Sequence, residues 1–145
     1  MHGYGYNFDA DLEMKDAGLV ASSGAAQVAG VDKVLNLGAG AGGRLDVVVD
    51  VTAIELDTAN EKYEIEVQLS DVSNFATGVV VAAVLKLGDS SVNGGSADSI
   101  VGRYILPFVN LFAGTTYQYA RLFTRIAGTI ATGINYSAFA APPMA

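Results

Sequence analysis

Apolar and polar residues alternate without a fault along Tyr63-Glu64-Ile65-Glu66-Val67-Gln68-Leu69. A period of two belongs to a β-strand with one face in a core and the other turned outward. Ile65, Val67 and Leu69 are the predicted core residues, and the outward Glu64, Glu66 and Gln68 also oppose edge-to-edge aggregation. Leu45 to Val51 is a β-branched run suited to a well-buried strand. Val79 to Leu87 is another apolar strand, ended by the Gly88-to-Gly95 loop. Arg103 to Val109 contains Pro107, which cannot donate to a ladder, so this strand lies at an edge or bulges there. Along Tyr117 to Arg125, the residues Tyr117, Tyr119, Arg121, Phe123 and Arg125 share one parity, while Ala120 and Leu122 take the other. The pattern leaves open which face is core. Lys33 to Leu37 and Ile134 to Phe139 complete the strand candidates. No stretch sustains a 3.6-residue apolar period. Roughly seven or eight strands with Gly-rich turns predict an all-β, single-domain jelly-roll or β-sandwich with extended N- and C-terminal arms. The predicted boundaries are an arm over 1–18, the sandwich over 19–139 and a tail over 140–145.

At 145 residues, 51% of them apolar, the chain is long enough for one domain with a sizeable core. The absence of cysteine removes disulfide frameworks, thiolate zinc sites and cysteine nucleophiles together. A net charge of −7 argues against nucleic acid as a partner, since phosphates call for basic surface. Residues 1–72 hold thirteen Asp and Glu against four Lys and Arg, and residues 73–145 hold two against four. That asymmetry suits complementary contacts between subunits, although acidic loops that fall early in the chain give the same tally. The first twenty residues lack a basic region followed by an apolar run, so no signal peptide is expected. Ile126 to Ala145 is uncharged, but Thr129, Thr132, Asn135, Ser137 and Pro142-Pro143 argue against a membrane span. A soluble protein without a membrane partner is expected.

Candidate chemistry thins out on inspection. Gly38-Ala39-Gly40-Ala41-Gly42-Gly43 satisfies the dinucleotide fingerprint in form, but that chemistry needs a helix next, and Leu45 to Val51 reads as strand. Asp89-Ser90-Ser91-Val92-Asn93-Gly94 mimics the first half of a calcium loop, yet the required bidentate carboxylate would fall on Ile100. Glu55, Asp57, Glu61, Glu64 and Glu66 are enough carboxylates for acid–base work, and a solvated acidic edge accounts for them better. The single histidine, His2, leaves serine nucleophiles without a base and rules out a three-histidine metal centre. No catalytic, cofactor-binding or metal-binding residue is predicted, no cofactor is expected, and the chain is not expected to be an enzyme.

The opening His2-Gly3-Tyr4-Gly5-Tyr6-Asn7-Phe8 concentrates three of the thirteen aromatic residues in eight positions. Glycine makes such a segment flexible while the aromatics offer contact area. Tyr4, Tyr6 and Phe8 are therefore the candidate partner-contact residues, on an arm free in solution and ordered against a neighbour; a frayed terminus or first edge strand is the plainer alternative.

Several segments together resemble a known family. They are Phe8-Asp9-Ala10-Asp11-Leu12 through Asp16-Ala17-Gly18, then Val34-Leu35-Asn36-Leu37-Gly38, Val67-Gln68-Leu69-Ser70-Asp71 and Asn74-Phe75-Ala76-Thr77. Tyr119-Ala120-Arg121-Leu122 and Thr132-Gly133-Ile134-Asn135-Tyr136-Ser137-Ala138 follow. In this order, over about residues 8–139, the chain resembles the small jelly-roll cement, or decoration, proteins of tailed phages. The Tyr4-Gly5-Tyr6 opening and the Pro-Pro tail fall outside that likeness. The resemblance implies a structural virion protein, made in the host cytoplasm, that cements the outer capsid surface by bridging neighbouring subunits. Its implied partners are the major capsid protein and further copies of itself, as dimer or trimer. The competing expectation is a glycan- or receptor-binding β-sandwich module of a phage fibre or cell surface, with Tyr104, Tyr117 or Tyr119 as its aromatic platform.

Overall fold

A computed structural model describes residues 6–40, 42–93 and 97–143. Eight principal strands carry the fold: β1 (Glu13–Lys15), β2 (Gly24–Ala25), β3 (Arg44–Ile54), β4 (Lys62–Ser70), β5 (Val80–Gly88), β6 (Gly102–Val109), β7 (Tyr119–Ala127) and β8 (Ile134–Ala141). One antiparallel sheet runs β1-β8-β3-β6 and the other β2-β7-β4-β5, and the two pack as a β-sandwich. The first strand pairs with the last, the second with the seventh, the third with the sixth and the fourth with the fifth. That nesting is a long hairpin rolled into two sheets, the jelly-roll arrangement. Helix is confined to a 3₁₀ turn at Ala10–Leu12 and one turn at Ser90–Asn93 among the described residues.

Alternation decides which residues fill the core. Val47, Val49 and Val51 of β3 face Ile65, Val67 and Leu69 of β4 across the sandwich, all essentially inaccessible. Ala120 and Leu122 point inward from β7, which settles the parity left open above and turns Tyr119, Arg121, Phe123 and Arg125 outward. Two tyrosines are fully buried, and each keeps its hydroxyl bonded. Tyr63 donates to the Glu55 carbonyl at 2.8 Å, and the Tyr136 hydroxyl meets Thr124 Oγ1 at 2.6 Å, tying β8 of one sheet to β7 of the other. Burial pushes both phenols up to about 12, helped at Tyr63 by the nearby carboxylates of Glu55, Glu61 and Asp57.

Strand β6 is an edge, as Pro107 requires. Strand β4 lies between β7 and β5, so its outward polar residues guard no edge. The first two strands are short because each is interrupted. Beyond β1, Leu19–Val20 resumes the pairing with β8 opposite Asn135 and Ile134. Beyond β2, Leu35–Asn36 resumes the pairing with β7, while Gln27–Val28 and Val31–Asp32 leave the sheet as a small hairpin. The break after β1 is filled by Lys15, whose ammonium donates to the carbonyls of Asp16, Gly18 and Tyr136 at 2.9, 3.0 and 2.7 Å. It also sits 4.5 Å from the Tyr136 ring centroid. Burial holds its pKa below the ordinary lysine range, against the pull of Asp16.

Candidate partner-binding surfaces

The carboxylates grouped by sequence do not form a single solvated acidic edge: Glu55 and Glu61 hold loops, and Glu64 and Glu66 pair with Lys62 and Arg125 on the second sheet. Glu55 accepts the backbone N–H groups of Ala131, Thr132 and Gly133 at 2.7–3.1 Å, closing the β7–β8 turn. Gly133 itself has φ +89°, and a Cβ there would stand 1.9 Å from the Val20 carbonyl oxygen, so only glycine fits. Glu61 is fully buried and accepts from the Thr58 and Asn60 N–H groups and the Thr58 hydroxyl. Hydrogen bonds from the Gly133 and Thr132 amides hold Glu55 below the usual carboxylate range. Burial raises Glu61, but the bonds from residues 58 and 60 outweigh it and leave this group low as well. Asp89 accepts the Ser91 hydroxyl and amide and is lowered by them, so the calcium-like loop is a capped helical turn. Glu64 pairs with Lys62 at 3.4 Å. Among the described residues, no three His, Cys, Asp or Glu side chains gather as a metal site. The glycines ending at Gly43 run directly into β3, not into a helix.

Of the three arm residues singled out by sequence, Tyr4 lies outside the described residues, as does His2. Tyr6 and Phe8 lie back across the outer face of the chain's own first sheet. The Tyr6 hydroxyl donates to Asp46 Oδ2 at 2.8 Å, which raises its pKa, and its ring packs with Val48, Phe139 and Ala141. Phe8 meets Phe139 edge-to-face at 5.4 Å and remains 59% exposed. Beneath this cover Val48, an outward residue of β3, is fully buried. On the same face Arg103 forks onto Asp50, Nε to Oδ1 at 2.7 Å and Nη2 to Oδ2 at 3.0 Å. Arg44 reaches Asp46 through Nη2 at 3.3 Å. Within the segment read as an arm, residues 13–15 are strand β1, and Ala140 and Ala141 of the predicted tail complete β8.

The outer face of the second sheet has no such cover among the described residues. Arg125 Nε binds Glu66 at 2.6 Å and Arg121 Nε binds Gln68 at 2.9 Å, while Gln68 in turn donates to Glu66 at 3.2 Å. Both guanidinium groups lie against the Phe123 ring, at 5.6 Å for Arg121 and 4.8 Å for Arg125, and Arg121 also stacks on Phe75 at 4.4 Å. Glu66 and Gln68 are consequently buried although they point away from the core. Val81 and Val84 of β5 continue this face and are exposed. Sequence parity places Arg121, Phe123 and Arg125 together; the stacking of Arg121 on Phe75, from the β4–β5 loop, has no sequence signal. Of the tyrosines offered as a glycan platform, Tyr104 and Tyr117 pack against the core, and Tyr104 donates to the Ile100 carbonyl. An open groove of about 330 Å³ runs along residues 18–27 beside Lys15 and Thr124. Compared with models of known protein families and with curated proteins, the chain matches none.

Proposed function

We propose that the chain is a structural virion protein that decorates and cements the outer surface of a tailed-phage capsid by bridging neighbouring subunits. The observation that carries this reading is the placement of Tyr6 and Phe8: an aromatic segment preceding β1, held on the sandwich by one side-chain hydrogen bond, an edge-to-face ring contact and the packing of Tyr6 on Val48, Phe139 and Ala141, with Phe8 still open. A segment so held can exchange its own sheet for an equivalent apolar surface on a neighbour at small net cost, because it gives up about as many contacts as it gains. Several such arms from one dimer or trimer make weak single contacts sufficient by multivalency. The use of Glu55, Glu61 and Asp89 as loop staples fits a rigid building block, for which resistance to deformation is the function. No cofactor or catalytic step enters this reading.

The test is to incubate the purified chain with expanded capsids that lack it, sediment the mixture, and run a glycan array in parallel. Saturable binding at a fixed ratio to capsid subunits is the expected result. Failure to co-sediment, together with selective retention on a glycan, would replace the capsid reading with the receptor-binding one.

A further inference from the structure

We infer that the outward row Arg121-Phe123-Arg125 of β7 is a docking site for an extended protein segment bearing two carboxylates. This inference is independent of the capsid reading. Four arginines occur in the sequence, and the structure treats them in two ways. Arg103 and Arg44, on the sheet that the arm covers, direct terminal Nη atoms onto Asp50 and Asp46. Arg121 and Arg125 bind their neighbours through Nε alone, and among the described residues their Nη atoms make no hydrogen bond. Each therefore keeps the Nη1–Nη2 end of its fork unused among the described residues, and that end can receive a carboxylate through two parallel bonds.

These side chains are also held in place before any partner arrives. Phe123 stands between them along the strand, Phe75 closes over Arg121, and Gln68 and Glu66 fix the two Nε atoms from below. A cation already fixed in place loses little rotamer freedom on binding, so more of its interaction appears as affinity. Arg125 keeps 52% of its side chain exposed while its partner Glu66 keeps 8%, so the pair is open on the cationic side only. Burial holds the Arg121 guanidinium below the usual arginine range, and Asp32, whose charge works the other way, makes no hydrogen bond with it. Exposed Val81 and Val84 add an apolar margin two strands away.

Positions 121 and 125 are four residues apart on a strand, about 13 Å. An extended partner with acidic residues at i and i+4 matches that spacing, with its intervening same-face residue over Phe123. Two cations on a chain of net charge −7 are too few to hold a polynucleotide against its salt dependence, so a protein carboxylate is the favoured ligand.

The experiment follows the arginine Nε–Hε resonances of the ¹⁵N-labelled protein at physiological salt. The probes are the N-acetylated, C-amidated peptide Glu-Thr-Val-Thr-Glu, the same capped peptide with one Glu replaced by Gln, and a single-stranded RNA oligonucleotide. The expected result is a joint, saturating shift of Arg121 and Arg125 with the two-carboxylate peptide, a markedly weaker response to the one-carboxylate peptide, and an unmoved Arg103. The double variant Arg121→Lys/Arg125→Lys keeps the charge over Glu66 and should lose the saturation while melting within a few degrees of the parent. Equal shifts at all arginines, no difference between the two peptides, or tighter saturation by the RNA would each overturn the inference. The peptide comparison uses the unaltered protein, so it decides the matter even if the double variant is unstable.

Discussion

Val67 and Lys15 mark the two extremes of what a buried position asks of its residue. Val67 is completely enclosed by apolar neighbours from both sheets. Replacing it with Asp buries a carboxylate with no partner, or forces it to take up a proton at similar cost. The expected loss for Val67→Asp is on the order of 4 kcal/mol, seen as a markedly lower denaturant midpoint. A midpoint unchanged from the parent would mean that β4 presents its other face to the core. Lys15 is buried too, but for the opposite reason: the chain leaves the sheet after β1, and three carbonyls converge on its ammonium. Lys15→Met keeps the length of the side chain and removes all three bonds. It should cost about 2–3 kcal/mol, since carbonyls left unpaired in a buried site lose most of their solvation. A methionine variant as stable as the parent would show that water replaces the ammonium there.

At the scale of elements, carboxylates that accept backbone amides help to hold the loops between sheets. Glu55, Glu61 and Asp89 all have folded pKa values below their ordinary ones. Such groups bind protons more weakly in the folded state than in the unfolded state. Their stabilisation is therefore complete above the ordinary carboxylate pKa, near 4.5 for Glu and 3.8 for Asp, and is lost as pH falls through the lower folded values. The melting temperature should be nearly level from about pH 5 to 8 and fall steeply below pH 4. Glu55→Gln, which retains the shape but not the charge, should lower stability at neutral pH and soften the acid slope. A variant whose acid profile overlays the parent's would remove Glu55 from this role. The Glu55 staple was not legible in the sequence, because Glu55 and the residues 131–133 that it holds are separated by more than seventy positions. The strands themselves were legible, because β3 to β8 are runs of β-branched, aromatic or alternating residues that signal extended chain within a few positions.

For the whole molecule, the arm and the sandwich meet in one experiment. Tyr6 and Phe8 cover Val48 and Phe139, so deletion of residues 1–8 uncovers apolar surface and breaks the Tyr6–Asp46 bond. A modest loss of roughly 1–2 kcal/mol is expected, or about 3–6 °C in melting temperature for a domain of this size. Under the function proposed above, the same deletion should lower capsid occupancy far more than its effect on stability explains, because an arm that bridges subunits would contribute once per copy in a multivalent assembly. Full occupancy at the same concentration would leave the arm as a cover for its own sheet only.

The sequence by itself determined that the chain is all-β, and it located the principal strands from Arg44 onward, usually within one or two residues. It also placed Pro107 on an edge. These follow from rules that act over a few residues: alternation, β-branching and the missing proline donor. The tertiary structure alone decided the nesting of first strand on last, the inward parity of β7, and the interruptions in β1 and β2. It also decided the return of Tyr6 and Phe8 onto the first sheet. Each of those depends on partners distant in the chain. Arg121 and Arg125 share a parity with Tyr117 and Tyr119, yet period two is the same on both faces of a sheet. Which face is inside is settled only when a second sheet arrives to cover it.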